Sequence, residues 1–140
     1  MTENLPDITQ SILIEAPIEK VWSYVSTVEG ISKWFMPPND FKLEEGFEFT
    51  IQSPFGPSPC KVLEIEEQKK ISIQWDTDGW VLTFLLKEVG NETEFTVIHG
   101  GWKEKDTLVA KAQRPQSVIR DTMNKGWEGI VQKLKQLVEA

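Results

Sequence analysis

Residues 115–139 read PQSVIRDTMNKGWEGIVQKLKQLVE. After Pro115, Ile119, Met123, Trp127, Ile130, Leu134 and Leu137 recur at intervals of 4, 4, 3, 4 and 3. That is the sustained apolar stripe of one long amphipathic helix. At 1.5 Å per residue it would be roughly 37 Å long. Upstream, from 40 to 99, the period drops to two. Phe47, Phe49 and Ile51 alternate with polar residues, as do Ile71, Ile73 and Trp75. Trp80, Leu82, Phe84 and Leu86 form one face of the next run, and Phe95, Val97 and His99 one face of the last. Alternation of this kind marks an antiparallel sheet with one dry face and one wet face. The run 61–66, KVLEIE, breaks parity because Val62 opposes Leu63 and Ile65, and a bulge would reconcile them. Turn chemistry separates the runs at Pro54–Pro59, Thr77-Asp78-Gly79 and Gly90-Asn91.

The N-terminal quarter supplies the remaining elements. Residues 8–15, ITQSILIE, put Ile8, Ile12 and Ile14 on one face of a strand. Ala16-Pro17 ends it, and Pro17 suits the first turn of a helix. Ile18, Val21, Trp22 and Val25 then form a single stripe; Val28, Ile31, Trp34 and Phe35 repeat it until Pro37-Pro38-Asn39. The fold class is therefore α+β, with about six or seven antiparallel strands, two short helices after the first strand and one long C-terminal helix. Strands about 4.8 Å apart make such a sheet roughly 30 Å across. One helix of roughly 10–12 Å diameter cannot cover that face if the sheet stays flat. The sheet must curl around the helix, and this layout predicts an apolar pocket between them.

Composition sets bounds on function. At 140 residues the chain fits a single domain, 1–140. Fifteen Lys plus Arg against 22 Asp plus Glu give a net charge of −7, which argues against nucleic acid and anionic membrane as partners. One Cys (Cys60) and one His (His99) leave no disulfide framework and no Cys/His zinc cluster. No cofactor is implied. The start, MTENLPDITQS, lacks a signal peptide's basic and apolar regions. The nearly apolar stretch WVLTFLL at 80–86 is far short of the roughly 20 residues needed to insert across a membrane. The expected location is cytoplasmic. Asn91-Glu92-Thr93 fits a glycosylation pattern but reads as a turn asparagine.

Six tryptophans are the unusual feature. Parity and stripe position turn Trp34, Trp75, Trp80 and Trp127 inward, where flat side chains build a core or line a ligand. Phe49, Phe84, Val97 and Met123 share that inward surface. His99 lies beside Phe95 and Val97, either as a core histidine or as a polar contact for a ligand. Together Trp34, Phe49, Trp75, Trp80, Phe84, Val97, His99, Met123 and Trp127 are the candidate ligand-binding residues. Gly126 and Gly129 flank Trp127 and should each cost roughly 1 kcal/mol relative to Ala, so close packing against the sheet is expected there. Cys60 and His99 are a thiol–imidazole pair without a third orienting residue, so no catalytic residue is assigned. Asp76-Thr77-Asp78-Gly79 opens like a calcium loop, but the twelfth position is Lys87 instead of Glu. Lys103-Glu104-Lys105-Asp106 and the run to Arg114 read as a solvated loop, potentially a lid.

The run IEAPIEKVWSYVSTVEGISKWF resembles the opening of the START / birch-pollen-allergen-like (SRPBCC) helix-grip superfamily. It is most similar to the branch named after the activator of the heat-shock-protein-90 ATPase. The resemblance rests on Ala16-Pro17, Val21-Trp22, Trp34, Gly46-Phe47-Glu48-Phe49, Trp75, Thr93–Gly101 and Gly126-Trp127. It spans about residues 8–139. It implies the helix-grip fold but spans lipid carriers, cyclases, hormone receptors and co-chaperones. Eukaryotic co-chaperones of the branch carry a further N-terminal domain, which this chain is expected to lack. Three functions follow: non-catalytic binding of a small hydrophobic lipid-, sterol- or polyketide/flavonoid-like molecule; a co-chaperone role with a chaperone partner in stress response; and a polyketide cyclase- or hydrolase-like enzyme.

Overall fold

The computed structural model describes residues 4–35, 42, 44–53, 56–75, 80–109 and 113–140, with backbone only at 28, 51–53 and 56. The chain runs β1 (Ile8–Ile14), α1 (Ile18–Val25), α2 (Val28–Trp34), β2 (Glu48–Ser53), β3 (Gly56–Glu66), β4 (Lys70–Trp75), β5 (Trp80–Val89) and β6 (Glu92–Gly100). Then come β7 (Leu108–Val109), β8 (Arg114–Pro115) and the long helix α3 (Gln116–Glu139). The first six strands form one curved antiparallel sheet in the order β1-β6-β5-β4-β3-β2. The sheet is a meander from β2 to β6, with β1 added beside β6.

Parity holds where side chains are described. Trp80, Leu82, Phe84 and Leu86 are buried on β5, and Phe95, Val97 and His99 on β6. The KVLEIE run contains the expected bulge: pairing with β4 shifts register between Val62 and Glu64. The extra residue lets Val62 be fully buried while Leu63 is left 38% exposed. Gly90 has φ +64 in the β5–β6 turn, a left-handed conformation that favours glycine. Thr93 is buried in β6 and donates to the carbonyl of Ala16, so the neighbouring Asn91 is a turn residue as expected.

Two expectations need correction. Residues 56–59 are part of β3, not a turn. Among the described residues Pro57 and Pro59 pair with β2, and β3–β4 pairing begins at Cys60. The 103–114 segment contains the short hairpin β7–β8 instead of being loop throughout. Its turn carbonyls at Lys105 and Thr107 accept from Ser117 and Gln116, which satisfies donors that a helix start leaves open. The turns at Pro37-Pro38-Asn39, Pro54-Phe55 and Asp76–Gly79 lie outside the described residues.

Helices α1 and α2 meet at Gly30, where a Cβ would sit 2.5 Å from the Tyr24 Cα. Only glycine allows this approach, and it brings the Trp34 indole within 2.7 Å of the Tyr24 carbonyl as a donor. Helix α3 runs beside β1. Arg120 donates to the carbonyls of Pro6 and Asp7, Gln10 donates to Asn124, and Lys135 donates to the carbonyl of Leu13. Farther across the sheet, α3 is linked to it by long side chains, above all Trp127. Among the described residues no helix is long and apolar enough to cross a membrane.

Candidate functional site

Seven of the nine candidate residues meet in or beside one buried aromatic assembly. Trp34 arrives from α2, Phe84 and Trp80 from β5, Trp75 from β4, Val97 and His99 from β6, and Trp127 from α3. All seven are at most 4% exposed. The Trp34 ring sits edge-on to Phe84 at 5.4 Å and to Phe95 at 5.7 Å. Val97 lies opposite Phe84 in the β5–β6 register. Phe49 is buried on β2 at the far side of the sheet, beside Phe47. Met123 is only partly buried and packs against the rim of the core.

The structure adds two rings to the nine candidates: Phe35, which already belongs to the second helical stripe, and Trp102, which periodicity does not locate. Phe35 caps α2 in an extended conformation and stacks on Trp127 at 5.2 Å and 16°. Trp102 follows β6, is 2% exposed, and lies 4.7 Å from His99 and 4.9 Å from Trp80. Trp102 stands just beyond β6, where strand spacing no longer predicts a direction.

His99 is the chemical centre of this assembly. The Trp127 Nε1–H donates to His99 Nδ1 at 3.0 Å. An indole can only donate, so Nδ1 carries the lone pair and Nε2 carries the proton. Burial, reinforced by the positive charge of Arg120, pushes the imidazole pKa down to about 3. His99 is therefore a neutral donor near pH 7. The Trp102 Nε1–H donates to the His99 carbonyl at 2.9 Å, which fixes the backbone as well.

Four buried polar atoms have no partner among the described residues: Trp75 Nε1, Trp80 Nε1, His99 Nε2 and Gln116 Nε2. An unmatched buried donor typically costs about 1–3 kcal/mol. Three of the four belong to rings in mutual contact. Trp75 and Trp80 are 5.5 Å apart, Trp75 and His99 5.3 Å, and Trp80 and His99 4.9 Å.

The alternative chemistries fare differently. Cys60 is buried on β3, three strand spacings from β6, roughly 14 Å, so it and His99 do not form a dyad. Among the described residues no group of three or more His, Cys, Asp or Glu could hold a metal. Gly126 and Gly129 do not pack closely: a Cβ on either would meet no atom within 4 Å. They face outward, because each lies 100° or more around the helix from Trp127. Shallow surface depressions are lined by residues such as Ile18, Lys69 and Leu86, or Pro17 and Asn91, and include none of the nine candidates.

Comparison with known proteins follows the fold. A Bacillus halodurans protein solved in solution is 51% identical, with a TM-score of 0.90 over 99% of this chain and 100% of its own. The Aha1 dimer from Colwellia psychrerythraea shares the fold at 22% identity and TM-score 0.76, covering 96% of this chain and 97% of that one. DynU16, from the dynemicin biosynthetic locus, does so at 16% identity and TM-score 0.75, covering 97% of this chain and 48% of its own. No curated protein matches. A family model described as activator of Hsp90 ATPase homolog 1-like protein matches residues 15–139, and the chain belongs to that family.

Proposed function

We propose that residues 1–140 act as one cytoplasmic domain that binds a small, largely apolar molecule between the sheet and α3 without transforming it. Trp34, Phe49, Trp75, Trp80, Phe84, Val97, His99, Met123 and Trp127 are its proposed lining. The observation that carries this reading is the set of flat rings that the sheet and the helices bring to one interior. Flat rings from α2, β4, β5, β6 and α3 converge there, and α3 reaches the middle of the sheet through Trp127. Stacked and edge-on rings offer a flat guest large faces at little entropic cost. The family supports the reading as a ligand-binding fold.

Chemistry weighs against the enzyme alternative. Acid–base work needs a titrating partner, and His99 is held neutral beside indoles with no carboxylate bonded to it among the described residues. The second reading, a stand-alone co-chaperone that stimulates a heat-shock-protein-90-type ATPase, draws on the family description. Stimulation of the cognate chaperone's ATPase by the purified protein would favour it.

Tryptophan fluorescence tests the first reading directly. Titration with flavonoids, sterols and fatty acids should give saturable quenching for at least one class. Trp127→Phe keeps a ring at the position and should weaken that binding without unfolding the sheet. A flat response across the whole panel would overturn the carrier reading.

A further inference from the structure

We infer that the Trp75–Trp80–His99 corner is a donor-only subsite for an uncharged oxygen acceptor, such as the carbonyl of a flat apolar ligand. This deepens the carrier reading and rests on it. The three rings touch one another. Each carries one N–H that is buried and has no partner among the described residues. The acceptors His99 offers are already engaged: Nδ1 by the Trp127 indole and the carbonyl by the Trp102 indole. The corner therefore presents protons and ring faces.

That composition selects the occupant. A water molecule has two lone pairs for such donors but also two protons of its own, which need acceptors. An ammonium or hydroxyl group brings the same surplus of protons. A carbonyl oxygen brings two lone pairs and no proton, and the rest of a planar ketone, quinone or lactone can lie against the surrounding rings. A carboxylate would bring a full charge into a site whose three donors are all neutral, at the cost of its hydration.

The test uses shape-matched probe pairs that differ by one oxygen: fluorene against 9-fluorenone, and diphenylmethane against benzophenone. Affinities come from fluorescence titration of the wild-type protein, and the indole and imidazole N–H signals are followed by 15N NMR. The ketone of at least one pair should bind roughly tenfold tighter than its hydrocarbon, as expected for two neutral hydrogen bonds. The Trp75 and Trp80 Nε1–H signals should move downfield on binding the ketone only. Trp75→Phe and Trp80→Phe should each weaken the ketone roughly threefold to tenfold more than they weaken its hydrocarbon partner. Equal affinity of ketone and hydrocarbon would overturn the acceptor subsite while leaving the carrier reading intact. So would tighter binding of fluorene-9-carboxylate than of fluorenone, or water cross-relaxation at these N–H groups that persists in the ketone complex. Binding of neither member of either pair, alongside saturable quenching by the flavonoid, sterol and fatty-acid panel, would overturn the acceptor subsite alone; silence from the probes and the whole panel would overturn both readings. The wild-type NMR shifts decide the matter even if a tryptophan variant fails to fold.

Discussion

The two margins of α3 handle polar groups in opposite ways. Along β1, in reach of solvent, side chains are matched to partners: Arg120 to the carbonyls of Pro6 and Asp7, Asn124 to Gln10, Lys135 to Leu13, and Glu139 to the amide of Glu15. Toward the sheet's middle, out of reach of solvent, three ring N–H groups have no partner among the described residues. Energetics alone would favour the reverse. An unmatched donor near water loses little, whereas the same group in a dry interior forfeits its full hydration. The seam at β1 is what a fold needs to hold its helix. The corner at His99 is where the proposed acceptor would be held.

The largest expected effect breaks the corner through its titrating member. The His99 pKa of about 3 lies below the ordinary value of 6.5, so the unfolded chain takes up the proton more readily. The resulting stability is fully present above pH 6.5 and is lost as pH falls toward 3. The slope from this one group reaches about 1.4 kcal/mol per pH unit. His99→Gln cannot titrate. The stability difference between wild type and His99→Gln should therefore shrink by about 3 kcal/mol between pH 6.5 and 4, with the wild type losing ground. Urea unfolding of both proteins across that range measures it. A difference that stays constant with pH would mean that folded His99 accepts a proton, and that its lone-pair partner is not the Trp127 indole.

How much of this contrast the sequence could reveal depends on periodicity. Every regular element with a clear 2- or 3.6-residue stripe is present, and even the bulge at Val62–Glu64 is legible, because parity failed there and nowhere else in the sheet. The four tryptophans turned inward by stripe or parity are all buried. Trp102 was not legible, since it lies where β6 has just ended and backbone direction is set by tertiary contacts; Phe35 was read as part of a helical stripe, but its stacking on Trp127 was not. The protonation state of His99 was hidden as well: it depends on an indole 28 residues away in the chain. Gly126 and Gly129 are a different failure. Their helical angles relative to Trp127 already placed them on the outer face, and close packing was the wrong inference from their presence.

The seam offers the intermediate effect. Arg120→Met removes two charge-assisted bonds to the Pro6 and Asp7 carbonyls just before β1 but leaves those exposed groups free to bind water. The expected loss is about 1 kcal/mol, well below that of stranding a buried group. The same change removes a positive charge that depresses the His99 pKa. Its NMR titration should therefore shift upward while remaining below the ordinary histidine range, because burial is the larger cause. A wild-type titration curve in Arg120→Met would disconnect the seam from the corner.

The smallest effect concerns the outer face of α3, where the sequence was misread. Glycine inside a helix lowers stability through the freedom it gives the unfolded chain, by roughly 0.5–1 kcal/mol relative to Ala. A Cβ at 126 or 129 would meet nothing within 4 Å, so no clash offsets that gain. Gly126→Ala and Gly129→Ala should each raise stability by about 0.4–1 kcal/mol in denaturant unfolding, and nearly additively. Gly30→Ala is the control of opposite sign, since its Cβ would be driven into the α1 backbone. If stiffening the helix around Trp127 also slows ligand association while equilibrium affinity holds, bending of α3 is part of how a guest enters. If association is unchanged, the two glycines serve neither packing nor entry.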